Sequence, residues 1–332
     1  MISKNNYLRI PVPAALAGVV LLVVASSMAA FAAVKLRANT TAVNLAAANG
    51  APAVVFTAKK SNKPEFDFYV MSFCPYGNQA EEALKPVADL LGSQALIQPH
   101  YIFQKIGNIA DYCKQSVPDS ANCGQYIKSS QVPFEKTITA CKAYIENMSK
   151  TCLDEKQYLK TSDGSYYASL HGRQEANEDV REICAWNQTT DKKQWWNFVE
   201  NVNKNCTAQN ADSCWEDQAK KAGYDTAKIT ECFNNEAVTL IEKEIALTSQ
   251  NKIQGSPTFL MAGAAFPPDS AYTQDGKGSL KIGKTVFAQD QYRTPNAIKE
   301  AICASFNKAP KECATKLAAP TAQAPAAGGC GQ

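Results

Sequence analysis

The sequence predicts an α/β domain with a large helical insertion stapled by disulfides, carried behind an N-terminal transmembrane helix. Three observations predict it. A strand-like run, a helix-like run and a second strand-like run follow one another between residues 65 and 103, the β-α-β opening of an α/β domain. From about 105 to 250 that alternation gives way to helical apolar spacing in a Lys-, Gln-, Asn- and Glu-rich stretch. Twelve cysteines follow an export-like N-terminus, and none lies within it.

Lys4 and Arg9 precede an uncharged run from Ile10 to Val34, long enough as a helix to cross a hydrocarbon core of about 30 Å. A secretory apolar core is usually shorter, about 7–15 residues. Ala30-Phe31-Ala32 has the small-x-small pattern of a cleavage site, so residues 1–37 are a signal anchor or a signal peptide, and length favours the anchor. Both place the rest of the chain outside the cytoplasm, and the anchor makes it a single-pass protein of the cell membrane. Residues 38–64, rich in Ala, Thr and Asn and ending in Lys59-Lys60-Ser61-Asn62-Lys63-Pro64, read as a linker.

The domain is expected over 65–315. Glu65–Ser72 is nearly continuous in apolar residues, as suits a strand buried on both faces. Ala80, Ala83, Leu84, Val87, Leu90 and Leu91 have helical spacing over 78–91, and 95–103 reads as the next strand. Within the insertion, 214–222 and 235–250 read as helices, and Trp195, Trp196 and Phe198 as core. Gly255-Ser256-Pro257-Thr258 is a turn entering a strand, with proline placed for a sheet edge or a cis turn. Residues 263–284 read as a loop, 284–288 as a last strand, and Pro295–Phe306 as a last helix with proline in its first turn. Residues 316–332, dominated by Ala, Pro, Gly and Thr, read as a disordered tail.

The chemistry concentrates at Phe73-Cys74-Pro75-Tyr76-Gly77. A cysteine at a strand-to-helix turn meets the unpaired N–H groups and dipole of the helix N-terminus, which favour the reactive thiolate. A Cys-x-x-Cys centre would need a second cysteine where Gly77 stands. Sequence proximity pairs Cys113 with Cys123, Cys141 with Cys152, Cys206 with Cys214 and Cys303 with Cys313, and leaves Cys184 with Cys232. Cys74 and Cys330 remain. Cys74 is the candidate nucleophile, Pro75 would stiffen its turn, and Tyr76 would line the groove. A lone thiol needs a second thiol for release, and Cys330, on a tail that can reach about 20 Å, is the candidate resolving thiol. His171 and Glu175, four residues apart, are a candidate proton relay or a structural pair; His100 reads as structural.

The order of elements resembles a thioredoxin-like fold. Leu170-His171-Gly172-Arg173-Gln174-Glu175, with Cys184 downstream, resembles the Cys-Gln-His-Gly-x-x-Glu-Cys signature of the gamma-interferon-inducible lysosomal thiol reductase family. Ser169 and Ala176 stand where that signature has cysteines, and Asp179 where it has asparagine. Cys214 with the helix to Cys232, Gly255-Ser256-Pro257-Thr258, Gln291-Tyr292-Arg293 and Ala301–Phe306 with Cys313 are similar to the thioredoxin-like region of plant vacuolar sorting receptors. Together the likenesses cover about 65–315. They imply that Ser256-Pro257 lies beside the Cys74 sulfur, which makes Pro257 a site residue, and that its backbone can pair with an extended client.

The reductase resemblance implies an enzyme, DsbA-like or thiol reductase-like, exchanging disulfides with exported proteins through Cys74. The receptor resemblance implies the alternative, a non-catalytic protein-binding module. A net charge of +3 without a basic stripe argues against nucleic acid. Two histidines without metal-ligand spacing argue against a metal site, and nothing calls for a cofactor. Oligomeric state is not encoded in any pattern of the chain.

Overall fold

The computed structural model describes residues 52–129, 137–318 and 330–331. The expected transmembrane helix and signal segment, most of the linker, and residues 319–329 of the expected disordered tail lie outside the described residues. No helix among the described residues is long and apolar enough to cross a membrane.

In chain order the elements are β1 (Val54–Val55), β2 (Glu65–Val70), α1 (Pro75–Leu91), β3 (Leu96–Tyr101), β4 (Gln104–Ile106), α2 (Ile109–Ser116), α3 (Cys123–Lys128) and α4 (Ile138–Leu153). Then follow β5 (Leu159–Lys160), β6 (Tyr166–Ala168), α5 (Arg173–Gln188), α6 (Lys192–Asn205), α7 (Ala211–Lys221) and α8 (Thr226–Gln250). The chain continues through β7 (Gly255–Ser256), β8 (Thr258–Met261), β9 (Ala264–Ala265), β10 (Ser279–Ile282), β11 (Thr285–Ala288), α9 (Pro295–Ala304) and β12 (Cys330–Gly331). The architecture is mixed α/β.

The central sheet has the order β3-β2-β8-β9. β2 runs parallel to β3 and antiparallel to β8. Alternation along β2 points Phe66, Phe68 and Val70 to one face and Tyr69 to the other, both buried. The first face meets α1 and the aromatic core of α6: Phe68 stacks on Trp196 at 5.6 Å, and Trp195 meets Trp196 edge-on at 4.9 Å. The second face, with Met71, Ile102 and Leu260, forms a smaller cluster that includes Cys74. Each buried aromatic removes about 150–250 Å² from water, so these rings dominate the core. α1 starts with Pro75 in its first turn, where a missing N–H costs nothing. It ends at Gly92, whose φ of 53° suits glycine.

Three expectations need correction, and a fourth gains a detail. The described part of the linker is built into the fold. β1 pairs parallel with β10, and Ser61 exchanges backbone bonds with Ser305 and Asn307, because Val54 and Val55 complete the edge of the β10-β11 hairpin. The insertion is largely helical, as expected, with α2 to α8, and it also carries a small antiparallel sheet of β4, β6 and β5 around the fully buried Tyr167. The stretch read as a loop at 263–284 contains β9 and β10. Finally, the tail returns to the domain as β12, antiparallel to β7.

Two disulfides also differ from the proximity pairing. Cys113 bonds Cys152 and Cys123 bonds Cys141. Cys141 and Cys152 lie three turns apart on one helix, α4, too far to meet along a rise of about 1.5 Å per residue. Instead α2 and α3 pack along α4 and each bonds the cysteine it faces. Cys184–Cys232, Cys206–Cys214 and Cys303–Cys313 pair as expected.

Candidate active site

Cys74 caps α1. Its Sγ accepts the Gly77 N–H at 3.4 Å, its own N–H donates to Met71 O at 3.0 Å, and the residue is fully buried. It is not a lone cysteine: Cys74 and Cys330 form a disulfide with Cα atoms 6.1 Å apart. Cys330 is held there by backbone pairing as well, standing opposite Ser256 in the β12–β7 ladder.

β7 lies directly beneath this bridge. Ser256 O is 3.5 Å from Cys74 Sγ, Ser256 Oγ accepts the Met71 N–H at 3.2 Å, and the Ser256–Pro257 bond is cis. Pro257 follows directly on the Ser256 carbonyl that touches the sulfur, and Pro75 follows Cys74 as the first residue of α1. Tyr76 is at the rim, where it, Leu170, Leu247, Ile253 and Cys330 pack partly exposed over the small cluster.

Gly77 explains the missing second cysteine. A Cβ at this position would stand 2.8 Å from Ser256 Oγ and 3.2 Å from Met71 O. No side chain fits at the third position of α1 while Ser256 holds the Met71 amide.

His171 and Glu175 do come together, but behind the cysteine turn rather than at the sulfur. Glu175 Oε1 accepts the Phe73 N–H at 3.0 Å and faces His171 Nδ1 at 2.7 Å. Its Oε2 accepts from Ser169 Oγ and the His171 N–H, each at 2.8 Å. Burial works against charge on His171, but the bond with Glu175 holds the imidazole above its ordinary value. His171 lies in the turn before α5, so the pair is a loop-to-helix contact and not one helix face.

Asp179, one turn further along α5, completes the grip. Its Oδ1 accepts both the N–H of Ser72 at 2.8 Å and its hydroxyl at 2.6 Å. Asp179 and Ser72 are absent from the expected site. The available signal was the acidic spacing 175, 178, 179, 182, which reads as a solvated helix face yet is buried throughout.

This acidic row is an electrostatic feature in its own right. Burial, with Glu175 beside it, pushes Asp179 well above the usual carboxylate range. Burial does the same to Glu182, which accepts the Tyr101 hydroxyl at 2.5 Å. Burial raises Glu178 to about 7 against the pull of Arg181, and Glu81 on α1 to about 8 against its bond with Asn203. Neutral carboxyls are how a core accommodates so many acids. On the opposite face of the sheet, burial disfavours charge on His100, but Asp67 and Glu244 raise it to about 9. His100 stacks on Tyr69 at 4.8 Å, a structural role. Among the described residues no group of three His, Cys, Asp or Glu side chains is placed to hold a metal.

Fold and site together define a mixed α/β protein with a cysteine pair at a helix N-terminus. Residues 132–261 match the family of the vacuolar sorting receptor thioredoxin-like domain. No curated protein matches the chain. Among solved structures, a 2-hydroxychromene-2-carboxylate isomerase is similar over 68% of this chain and 90% of its own, with 11% identity and a TM-score of 0.34. A putative protein-disulfide isomerase from Pseudomonas syringae is similar over 63% of this chain and 87% of its own, with 13% identity and a TM-score of 0.26. A putative protein disulfide isomerase from Nitrosomonas europaea is similar over 60% and 84%, with 11% identity and a TM-score of 0.32.

Proposed function

We propose that this chain is a thioredoxin-like thiol–disulfide oxidoreductase acting on exported proteins through the Cys74–Cys330 pair. The observation that carries the reading is the position of that bridge: one sulfur caps a helix N-terminus, which favours thiolate, and the other is delivered on an added strand next to Ser256-Pro257. A purely structural disulfide has no need of a thiolate-stabilising end. The His171-Gly172-x-x-Glu175 likeness to the thiol reductase family supports the same reading, since Glu175 holds the amide preceding Cys74. Six disulfides support an oxidising, extracytoplasmic compartment. The apolar run Ile10–Val34 supports a single-pass membrane tether.

The test is to equilibrate the full chain in graded glutathione and map its disulfides by non-reducing peptide mass spectrometry. Cys74–Cys330 opens well before the other five, and the oxidised chain passes its disulfide to a reduced dithiol peptide in a reaction that Cys74→Ser abolishes. Six bridges that resist together, or transfer indifferent to Cys74→Ser, would refute the assignment. The complete burial of Cys74 and a family match confined to 132–261 favour a second reading, a binding module. Client capture that survives Cys74→Ser would support it.

A further inference from the structure

The two sulfurs of the bridge are not equivalent to an outside thiol. Cys74 is fully buried, with Gly77 N and Ser256 O against its sulfur and Met71, Ile102 and Leu260 packed around it. Cys330 is partly exposed, at the rim formed with Tyr76, Leu170, Leu247 and Ile253. Exchange at sulfur requires the attacking thiolate to approach in line with the bond being broken, from the side away from the leaving sulfur. For attack on Cys74, that side is protein interior. For attack on Cys330, the sulfur expelled is the one stabilised by the N-terminus of the 17-residue helix α1. A thiol that is more stable as thiolate leaves faster.

We infer that client thiols enter at Cys330, and that Cys74 is the leaving thiolate. This rests on the exchange reading above and exchanges the roles expected from the sequence. In the first step a client thiolate bonds Cys330 Sγ, the Cys74–Cys330 bond breaks, and the electron pair departs on Cys74. The client's proton has gone to solvent. In the second step another thiolate of the same client attacks the client sulfur of the mixed disulfide, forming the client's disulfide and releasing Cys330 as thiolate. The client has lost two electrons and the cysteine pair has gained them. Reduction of a client disulfide runs the same path backwards, with Cys330 attacking and Cys74 closing the bridge. Cys330 then carries the client, and β7 is the strand on which it docks when the bridge is closed.

The experiment uses the oxidised full chain and a short blocked peptide, Leu-Cys-Gly. The two are mixed rapidly and quenched with excess maleimide from milliseconds to minutes, and a non-reducing digest locates both adducts. At the earliest times the peptide is expected on Cys330 and the maleimide on Cys74, by at least tenfold over the reverse. Peptide on Cys74 with maleimide on Cys330, or an even split, would overturn the inference while leaving exchange activity intact. A bridge that does not open would overturn the exchange reading and this inference with it.

Discussion

Asp179 offers the sharpest test of how the α5 carboxyls hold the cysteine turn. In Asp179→Ala the N–H and hydroxyl of Ser72, both buried, lose their common acceptor. At about 1–3 kcal/mol for each of the two buried donors left unpaired, the loss is roughly 2–6 kcal/mol. Asp179→Asn keeps an oxygen in the Oδ1 position and mimics the neutral carboxyl that burial enforces, so its cost at pH 7 is about 1 kcal/mol or less. The pH dependence has a definite sign. The folded-state value is raised above the unfolded one of about 3.9, so the native carboxyl keeps a proton that the unfolded chain gives up. Its contribution is complete below about pH 4 and declines as pH rises, with a limiting slope of about 1.4 kcal/mol per unit. Asparagine does not titrate, so Asp179→Asn gains on the wild type between pH 4 and pH 7. Urea unfolding of both variants at the two pH values, with disulfides intact, measures this. An Asn variant as costly as the Ala variant, or a difference from wild type that ignores pH, would refute a neutral Asp179.

Glu81→Gln should behave in the same direction. With Glu81 raised to about 8 from 4.5, the wild type loses about 3–4 kcal/mol relative to the variant between pH 4.5 and 7.5, and a flat difference would place an ionised Glu81 in the core. His100 has the same sign of linkage in a higher window: raised from 6.5 to about 9, it stabilises fully below pH 6.5, and about 3 kcal/mol is lost as pH climbs through 9. His100→Gln abolishes that decline, and an unchanged alkaline slope in urea titrations would count against the Asp67 and Glu244 pairing. Gly77→Ala forces a Cβ against Ser256 Oγ and costs about 1–3 kcal/mol. Differential scanning calorimetry showing no loss would mean that Ser256 moves freely.

What the sequence reveals here follows the range of the forces involved. β2, α1 and the capping cysteine are legible because apolar period and helix-start chemistry are local, and the cluster at Trp195, Trp196 and Phe198 is legible because large rings leave water wherever they can. The β4-β6-β5 sheet is not. Its strands are two or three residues long, and Gln104, Lys105 and Tyr166 carry no strand pattern beyond their neighbours. The crossing of Cys113–Cys152 with Cys123–Cys141 depends on which helix packs where along α4, which spacing in the chain does not contain. α5 misleads most. Glu175, Glu178, Asp179 and Glu182 look solvated, yet Phe73, Ser72, Arg181 and Tyr101, all far away or on another turn, make their burial tolerable. The union of Cys74 with Cys330 was visible as two cysteines left without partners and a tail long enough to bring them together. The edge of β7 that joins them exists only once the sheet is built.

The bridge between Cys74 and Cys330 closes a ring of 256 positions. Closing a loop of that length restricts the unfolded chain by an amount worth up to about 5 kcal/mol, less whatever the five inner bridges already impose. Such a coupling is reciprocal: whatever the bond lends to folding, folding lends to the bond. A domain weakened anywhere, by heat, by a core substitution or by loss of β12 from its dock, holds this disulfide less firmly and gives it up to milder reductants. The oxidation state of one cysteine pair thus serves as a running gauge of the integrity of the whole domain.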